Sequence, residues 1–290
     1  MDYYKRIQQA ISFIEEHLHE EMNIAEIASA ACFSPFHFQR LFQAITGFSV
    51  HEYIRKRRLS VAADLLKQTN TSVLDIALTS HYNSQEAFTR AFEQLFGITP
   101  GKYRKADTSV RLQPKIDLLD YQKAMKKEIN VQKPVTKHLD PIEIIGYEYK
   151  TNLNYERYFE EIPGFYREFG EQGRYMHIQN KRAPHMAYGI SCNFQDDGTF
   201  SFIVGEEVEP FDGGLPDGFV HLVIPAGTYA VFQAYGGDGI VQDTRKYIYG
   251  TWLPNSNFER NEGPDFEVTD VVGSVYPHDL KITIYIPLKR

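Results

Sequence analysis

A nine-residue stretch, SPFHFQRLF at residues 34–42, returns fifty residues later as SQEAFTRAF at residues 84–92. The positions matched at this offset are Ser34 with Ser84, Phe38 with Phe88, Arg40 with Arg90, Phe42 with Phe92, Gly47 with Gly97, and Tyr53 with Tyr103. Upstream the offset falls to 49, so the second copy has one inserted residue. Because a repeated pattern buries the same apolar face twice, we expect two copies of one small helical structure.

Each copy has the pattern of two short helices joined by a tight turn. In the first copy Asn23 is placed to cap a helix over residues 24–30. Ser34 followed by Pro35 then predicts a second helix that runs to about Gly47, with the Ser oxygen accepting a free backbone N–H. The second helix has one apolar and one polar face. This arrangement is typical of a helix-turn-helix, whose second helix enters the major groove of DNA.

The segment between the copies predicts the distance between the two recognition helices, which we call the readers. Residues 50–68 are strongly helical in pattern. A helix of that length spans about 28 Å at about 1.5 Å per residue, which is close to the roughly 34 Å of one turn of B-DNA. We therefore expect two recognition helices to enter successive major grooves, so that one chain does the work of a helix-turn-helix dimer.

Polar and basic side chains near the readers are the candidate DNA contacts. The basic cluster at residues 55–58 is either phosphate-contacting charge or a solvated helix face. Arg40 and Arg90 are suited either to base edges or to phosphates, and Phe36 either touches a thymine methyl group or packs. The candidate residues are Phe36, His37, Gln39, Arg40, Gln43, Arg55, Arg57, Ser84, Gln85, Thr89 and Arg90.

Charge is unevenly distributed along the chain. Residues 1–106 hold 12 Lys and Arg against 11 Asp and Glu, which leaves 19 against 27 in the remainder. The negative charge of the second half either attracts cations or only keeps the protein soluble, and DNA would repel it. Glu86 and Glu93 lie in the second reader, so we expect that reader to bind DNA more loosely than the first.

Over its first hundred residues the chain resembles the AraC/XylS family of transcription regulators. The segments that carry the resemblance are IAEIASAACFSPFHFQRLFQAITGFSVHEYIRKRRL and SVLDIALTSHYNSQEAFTRAFEQLFGITPGKYR. The family's closing pattern is present as Gly97, Pro100, Tyr103 and Arg104. His81 and Tyr82 stand where many relatives have Gly-Phe. The resemblance implies an all-α double helix-turn-helix domain that binds double-stranded promoter DNA, works with RNA polymerase, and activates more often than it represses.

The second half has a different sequence pattern, with short apolar runs bounded by Gly, Pro and Asp. These runs predict antiparallel strands, and two helices are predicted at residues 154–170 and 239–249. The fold class is therefore a multidomain chain whose second domain is α+β, with two main helices on a curved antiparallel sheet. The predicted division is a DNA-binding domain at 1–106, a linker with some helical character at 107–127, and a second domain at 128–290.

This half resembles the GyrI-like effector-binding domains, in the arrangement found in Rob-like regulators. The segments that carry the resemblance are IPAGTYAVFQAYGG, IYGTWLP and GPDFEVTD. Many relatives place a glutamate in an aromatic pocket that receives lipophilic cations, and the matching residues here are Glu267 and Trp252. Thr269 replaces the tyrosine of the family's common pattern. Alternatively, Glu267 is an exposed strand residue and Trp252 is core. The weaker candidates for the pocket wall are Tyr147, Phe165 and Tyr229.

Enzymatic motifs are mostly missing from the sequence. The two cysteines, Cys32 and Cys192, form no CxxC pair, and the ten histidines include no HExxH. We therefore expect a non-enzymatic regulator without a metal or cofactor, and the resemblance implies that it senses a small, lipophilic, cationic effector. Two alternatives stay open for the second half: a hydrolase of reactive small molecules, or a protein-interaction module. Neither a leader nor a membrane span is evident, so a cytoplasmic location without a membrane partner is expected.

Overall fold

The computed structural model describes residues 3–118, 134–153, 158–195, 197–211, 213–215 and 217–289. The chain divides into two compact units, residues 2–124 and residues 125–290. Across the described ranges, no helix is both long enough and apolar enough to span a membrane.

The first unit is helical, as the sequence predicts. Its described helices are α1 (Tyr3–Glu16), α2 (Ile24–Ala30), α3 (Pro35–Thr46), α4 (Val50–Gln68), α5 (Val73–Thr79), α6 (Gln85–Phe96) and α7 (Pro100–Lys105). Helices α2 and α3 form the first helix-turn-helix, α5 and α6 form the second, and α4 connects them. The predicted connecting helix therefore has the bounds that the sequence pattern gives it.

The two copies repeat each other down to their packing. The aromatic pair Phe38 and Phe42 is fully buried with ring centroids 5.5 Å apart, and the matching pair Phe88 and Phe92 is fully buried at 5.6 Å. Both reading helices end at a glycine in the left-handed conformation, with φ of 78° at Gly47 and 72° at Gly97. Equivalent sequence positions thus build equivalent cores.

The caps and turns differ slightly between the copies. Asn23 caps α2 as predicted, accepting from the backbone N–H of Glu26 at 2.8 Å. Ser34 occupies the predicted cap position of α3, but its side chain makes no capping hydrogen bond, whereas Ser84 accepts from the N–H of Ala87 at 3.1 Å. In the turns, Cys32 and His81 both take a left-handed backbone, with φ of 53° and 62°. The second turn therefore keeps the geometry of the first without the glycine of many relatives.

Residues 107–118, which we call the docked segment, lie against the helical unit. The backbone N–H groups of Gln113, Ile116 and Leu118 donate to the side chains of Ser60, Tyr53 and Gln8 at 2.9, 3.3 and 2.8 Å, respectively. Ile116 and Leu118 are buried. The predicted linker is thus attached to the helical unit along this part, and its remaining residues, 119–127, lie outside the described residues.

A partly buried ion pair anchors the docked segment. Arg57 donates through Nε and Nη2 to the two oxygens of Glu15, both at 2.8 Å, and through Nη1 to the carbonyl of Gln113 at 2.5 Å. Tyr53 donates to the same carboxylate at 2.8 Å. Burial, together with the charge of Glu15, raises the pKa of Tyr53 well above its ordinary value. The hydroxyl therefore stays protonated and joins Glu15 to the N–H of Ile116.

We expect Tyr53→Phe to loosen the docked segment. The change leaves the N–H of Ile116 and an oxygen of Glu15 without their shared partner, which costs about 1–2 kcal/mol of unfolding free energy. Hydrogen exchange at Ile116 should accelerate more than exchange in α4. Tyr103→Phe is the matched control, because the ring of Tyr103 is buried and its hydroxyl makes no hydrogen bond to the described residues. Equal exchange rates in the two variants would contradict the anchoring role.

The second unit contains an antiparallel sheet of eight described strands. They are β1 (Val135–Leu139), β2 (Ile142–Asn152), β3 (Met186–Cys192), β4 (Thr199–Val208), β5 (Phe219–Ile224), β6 (Gly227–Gly236), β7 (Asp265–Asp270) and β8 (Leu280–Leu288), in the order β1-β6-β8-β7-β3-β4-β2-β5. Helix α8 (Tyr158–Glu171) contacts β2 and β4, and helix α9 (Ile240–Tyr247) contacts β6 and β8. A π-helical turn, Ile248–Trp252, extends α9. Both predicted helices are present, although residues 154–157 of the first lie outside the described residues.

The unit consists of two halves with the same element order. Two strands, a helix and two strands form the first half, β1-β2-α8-β3-β4, and the second half is β5-β6-α9-β7-β8. Read from either edge, the sheet gives equivalent strands in the same sequence, and β3 and β7 meet at its centre. The edge strands are exchanged, since β1 pairs with β6 and β5 pairs with β2. This internal symmetry places β7, the strand of Glu267, beside the axis between the halves.

Candidate DNA interface and effector site

The second reading helix, α6, presents a more exposed polar surface than the first, α3. On α6, Gln85 and Arg90 are exposed and Thr89 is partly buried. On α3, Phe36, Arg40 and Gln43 are partly buried, and the guanidinium carbon of Arg40 lies 5.0 Å from the centre of the Phe36 ring. A cation over a ring face is held in a defined position. Phe36 therefore helps to position Arg40.

Two candidate residues of α3 are buried in this structure. Gln39 is 5% exposed and His37 is 7% exposed. The His37 ring packs edge-on against Tyr3 and Phe33, with centroids 5.9 and 4.9 Å apart. The DNA contacts predicted for these two side chains are not supported by this structure, because both side chains are buried. Their periodicity on the helix does not reveal this burial.

The basic cluster at residues 55–58 mostly serves the helical unit itself. Arg57 is engaged by Glu15 and the docked segment, as described above, so the phosphate contact predicted for it is wrong for this structure. Arg58 donates to the carbonyls of Leu18 and Glu20 at 2.8 and 2.6 Å. Arg55 is partly buried. The cluster is therefore neither a row of phosphate contacts nor a merely solvated face.

An acidic side chain lies at the start of the second reader. Glu86 is in the first turn of α6, where its own backbone N–H, the Ser84 hydroxyl and the charge of Arg90 lower the pKa of its carboxyl. The carboxylate is therefore ionised at neutral pH and reduces the positive potential next to Arg90. The weaker DNA binding expected of α6 relative to α3 stays a prediction.

We expect one chain to protect two adjacent major grooves. On a duplex selected from a random pool by the wild-type protein, Arg40→Ala should weaken binding by about 1–3 kcal/mol, and Arg90→Ala by less. Arg182→Ala, in the second unit, is the control. Fluorescence anisotropy gives the affinities and hydroxyl-radical footprinting gives the protections. A footprint that needs two chains for one such site would contradict the duplicated reader.

The strand register of the second unit places one row of side chains across the sheet. Directly opposed residues point to the same face of a sheet. The row, which we call the central row, is Phe232, Ile284, Glu267, Gly189, Val204, Tyr147 and Phe219. Glu267 and Gly189 form its middle pair. The helices cover this face, since Tyr166 of α8 and Arg245 of α9 both reach Glu267.

Glu267 is buried and receives a side chain from each helix. It is 4% exposed. Its Oε1 accepts from the Tyr166 hydroxyl at 3.1 Å, and its Oε2 accepts from Arg245 Nη2 at 2.9 Å. Burial and the neighbouring carboxylate raise the pKa of Tyr166 well above its ordinary value, so the hydroxyl stays a donor. The exposed-strand alternative for Glu267 is wrong.

A second carboxylate and a second guanidinium group extend this buried network. Arg245 Nη1 lies 3.6 Å from Asp265 Oδ2, and Arg260 Nη2 lies 2.7 Å from Asp265 Oδ1. Tyr249 also donates to Asp265. Burial alone would lower the pKa of Arg245, but the charges of Glu267 and Asp265 outweigh it and raise the pKa. Two carboxylates and two guanidinium groups therefore balance.

Gly189 makes room for the contact between Tyr166 and Glu267. A β-carbon at position 189 would lie 2.0 Å from the Tyr166 hydroxyl and 3.0 Å from Cγ of Glu267. It would also lie 2.7 Å from the Phe202 ring. Only glycine fits between these groups, so the hydrogen bond depends on the missing side chain.

The aromatic candidates fall on both faces of the sheet. Trp252 packs edge-on against Phe232 of the central row, with centroids 4.9 Å apart. Tyr147 belongs to the row, and Phe165 of α8 stacks on Tyr149 at 5.1 Å within the core. Tyr229 lies on the opposite face, because side chains alternate along a strand and it is three residues from Phe232. Its predicted place in the pocket wall is therefore wrong.

Sequence reasoning missed Tyr166 and Arg245, the two partners of Glu267. They lie 101 and 22 residues from it in the chain, so no local motif joins them. One available signal is physical, because a carboxylate inside an aromatic site requires a buried donor or cation. Arg245 is a basic residue in the second predicted helix, and it meets that requirement.

We expect Gly189→Ala to disrupt this site. The added methyl group displaces Tyr166 from Glu267 and overpacks the sheet face, which costs about 1–3 kcal/mol of unfolding free energy. Gly164→Ala, within α8, is the control, because a β-carbon there meets nothing within 4 Å. Chemical denaturation measures both. Equal stabilities in the two variants would contradict the close packing at Gly189.

Comparison with known proteins defines the family. Residues 137–288, more than half of the 290, match the family described as Cass2, integron-associated effector binding protein. The chain belongs to this effector-binding family. Residues 18–106 match a helix-turn-helix domain family. This member of the effector-binding family thus carries an AraC-type helix-turn-helix domain ahead of its GyrI-like domain.

Two of the similar proteins are named as transcription regulators. The chain is 28% identical over 302 aligned residues to the right origin-binding protein of Escherichia coli K12 and, equally, to the transcriptional regulator Rob of Salmonella typhimurium, covering all of both chains each time. It is 37% identical over 114 residues to the transcriptional activator AarP of Providencia stuartii, over 38% of this chain and 84% of that one. The protein is therefore a DNA-binding transcription regulator.

Proposed function

We propose that this regulator activates transcription in response to a small lipophilic compound that binds at the Glu267 site. Activation would require contact with RNA polymerase at the promoter. The name of the relative AarP, a transcriptional activator, supports the direction of the response. The family description, an effector binding protein, supports a ligand for the second unit.

The convergence on Glu267 carries this proposal. Tyr166 and Arg245 come from different helices in the two halves, and both contact the same carboxylate. A compound that enters between them must shift at least one helix against the sheet. A binding event at one point would then alter both halves of the unit, which is what a switch requires.

An enzymatic role for the second unit gains no support from its cysteine. Burial raises the pKa of Cys192 to about 11, so the thiol is protonated at neutral pH. A nucleophilic cysteine needs a lowered pKa and a neighbouring base or cation. The charge of Glu148 acts in the opposite direction, since it also raises the pKa. We therefore propose sensing rather than hydrolysis.

The proposal predicts that transcription follows occupancy of the site. On a promoter that carries the selected duplex, the full-length protein should raise run-off transcription by bacterial RNA polymerase. A compound that saturably changes the fluorescence of Trp252, the single tryptophan of the chain, should change transcript yield over the same concentrations. The double variant Arg245→Met with Glu267→Gln should lose this response and keep its DNA affinity.

Two results would contradict the proposal. One is a transcript yield that no bound compound alters. The other is a compound response that persists unchanged in the double variant, which would place the effector elsewhere. Arg40→Ala combined with Arg90→Ala is the control for DNA binding, because it should abolish activation with and without the compound.

A further inference from the structure

The chain itself supplies the cation that faces Glu267. Arg245 Nη2 lies 2.9 Å from Glu267 Oε2, and the side chain of Arg245 is 18% exposed. An external lipophilic cation would need to displace this guanidinium to pair with the carboxylate. The displaced group would then keep Asp265 at 3.6 Å as its remaining carboxylate neighbour in the site. The site therefore opposes the ligand charge that the resemblance implies.

Arg245 also has a terminal nitrogen at the same place that faces Asp265 at ion-pair distance without a hydrogen bond to the described residues. Its Nη1 is buried and makes no hydrogen bond to the described residues, since Asp265 Oδ2 lies at 3.6 Å. A buried N–H without an acceptor is costly, so an oxygen brought in by a ligand would be favoured there. The site thus presents a hydrogen-bond donor to a ligand, whereas the carboxylate of Glu267 is already paired with Arg245.

The charge balance indicates which ligands this donor accepts. Among the described residues, Glu267 and Asp265 are offset by Arg245 and Arg260, so these four groups together have no net charge to attract an ion. Adding an ion to such a balanced, buried network leaves one charge uncompensated. The surroundings are aromatic, since Tyr166 packs edge-on against Phe202 at 5.7 Å. An uncharged ligand with an apolar body suits them best.

We infer that Arg245 sets the charge selectivity of the site, excluding lipophilic cations and admitting uncharged lipophilic compounds that carry an accepting oxygen. This inference rests on the proposed effector site and names the class of its ligand. Arg245 acts as a specificity-determining residue through both of its terminal nitrogens. Nη2 covers the carboxylate, and Nη1 receives the ligand.

Four probes of matched shape test the inference on the full-length protein. Triphenylphosphine oxide is neutral with an accepting oxygen, and triphenylmethane is neutral without one. Tetraphenylphosphonium is a cation and tetraphenylborate is an anion. Isothermal titration calorimetry measures affinity, and Trp252 fluorescence is the second readout. We expect the wild-type protein to bind triphenylphosphine oxide at least tenfold more tightly than each of the other three.

Variants at Arg245 separate the two roles of its nitrogens. Arg245→Met should reverse the preference, with tetraphenylphosphonium gaining at least tenfold because Glu267 is uncovered, and a further Glu267→Gln should remove that gain. Arg245→Lys keeps the positive charge but has one terminal nitrogen instead of two. This variant should therefore lose the preference for triphenylphosphine oxide while it still rejects tetraphenylphosphonium. If Arg245→Met does not fold by circular dichroism, Arg245→Lys carries the test.

The possible failures are distinguishable. Wild-type binding of tetraphenylphosphonium as tight as that of the oxide would overturn the selectivity of Arg245 and leave the effector site in place. Unchanged selectivity in Arg245→Lys would do the same. If none of the probes binds the wild-type protein or any variant, both the selectivity and the proposed effector site are wrong.

Discussion

The pair of Glu267 and Arg245 determines how the second unit can be built. A carboxylate in the middle of a sheet face loses its hydration and must recover the lost free energy from donors held close to it. Arg245 and Tyr166 do this only if α9 and α8 both lie over the sheet centre. Tyr166 in turn reaches Glu267 only because Gly189 has no side chain. One buried negative charge thus constrains where both helices lie on the sheet.

The helical unit uses the same combination of groups for a different purpose. There Glu15 receives Arg57 and Tyr53, as Glu267 receives Arg245 and Tyr166. In the helical unit the remaining terminal nitrogen of the arginine, Arg57 Nη1, donates to the backbone carbonyl of Gln113 in the docked segment. In the second unit the corresponding nitrogen, Arg245 Nη1, makes no hydrogen bond to the described residues. One network is complete and fastens the chain, and the other retains a donor for a ligand.

Local signals explain what could be predicted from the sequence. The bounds of α2 and α4 follow from caps and periodicity, which act within one turn of helix. Long-range contacts explain the failures. Arg57 lies beside a reader in sequence, yet its carboxylate partner is 42 residues away. Tyr229 shares a strand with Phe232, but alternation turns it to the other face. The family resemblance indicates Glu267, whereas its partners Tyr166 and Arg245 are identified only by the fold.

The two halves of the second unit show how an asymmetric site arises from a symmetric frame. Gly189 and Glu267 occupy matching places, each in the central row on the inner strand of its half. In a symmetric pair of identical halves both places would carry the same residue, and two carboxylates there would repel across the axis while two glycines would bind nothing. Joining the halves in one gene lets each position change alone. Because the two halves belong to one chain, one half can supply the charge and the other the space.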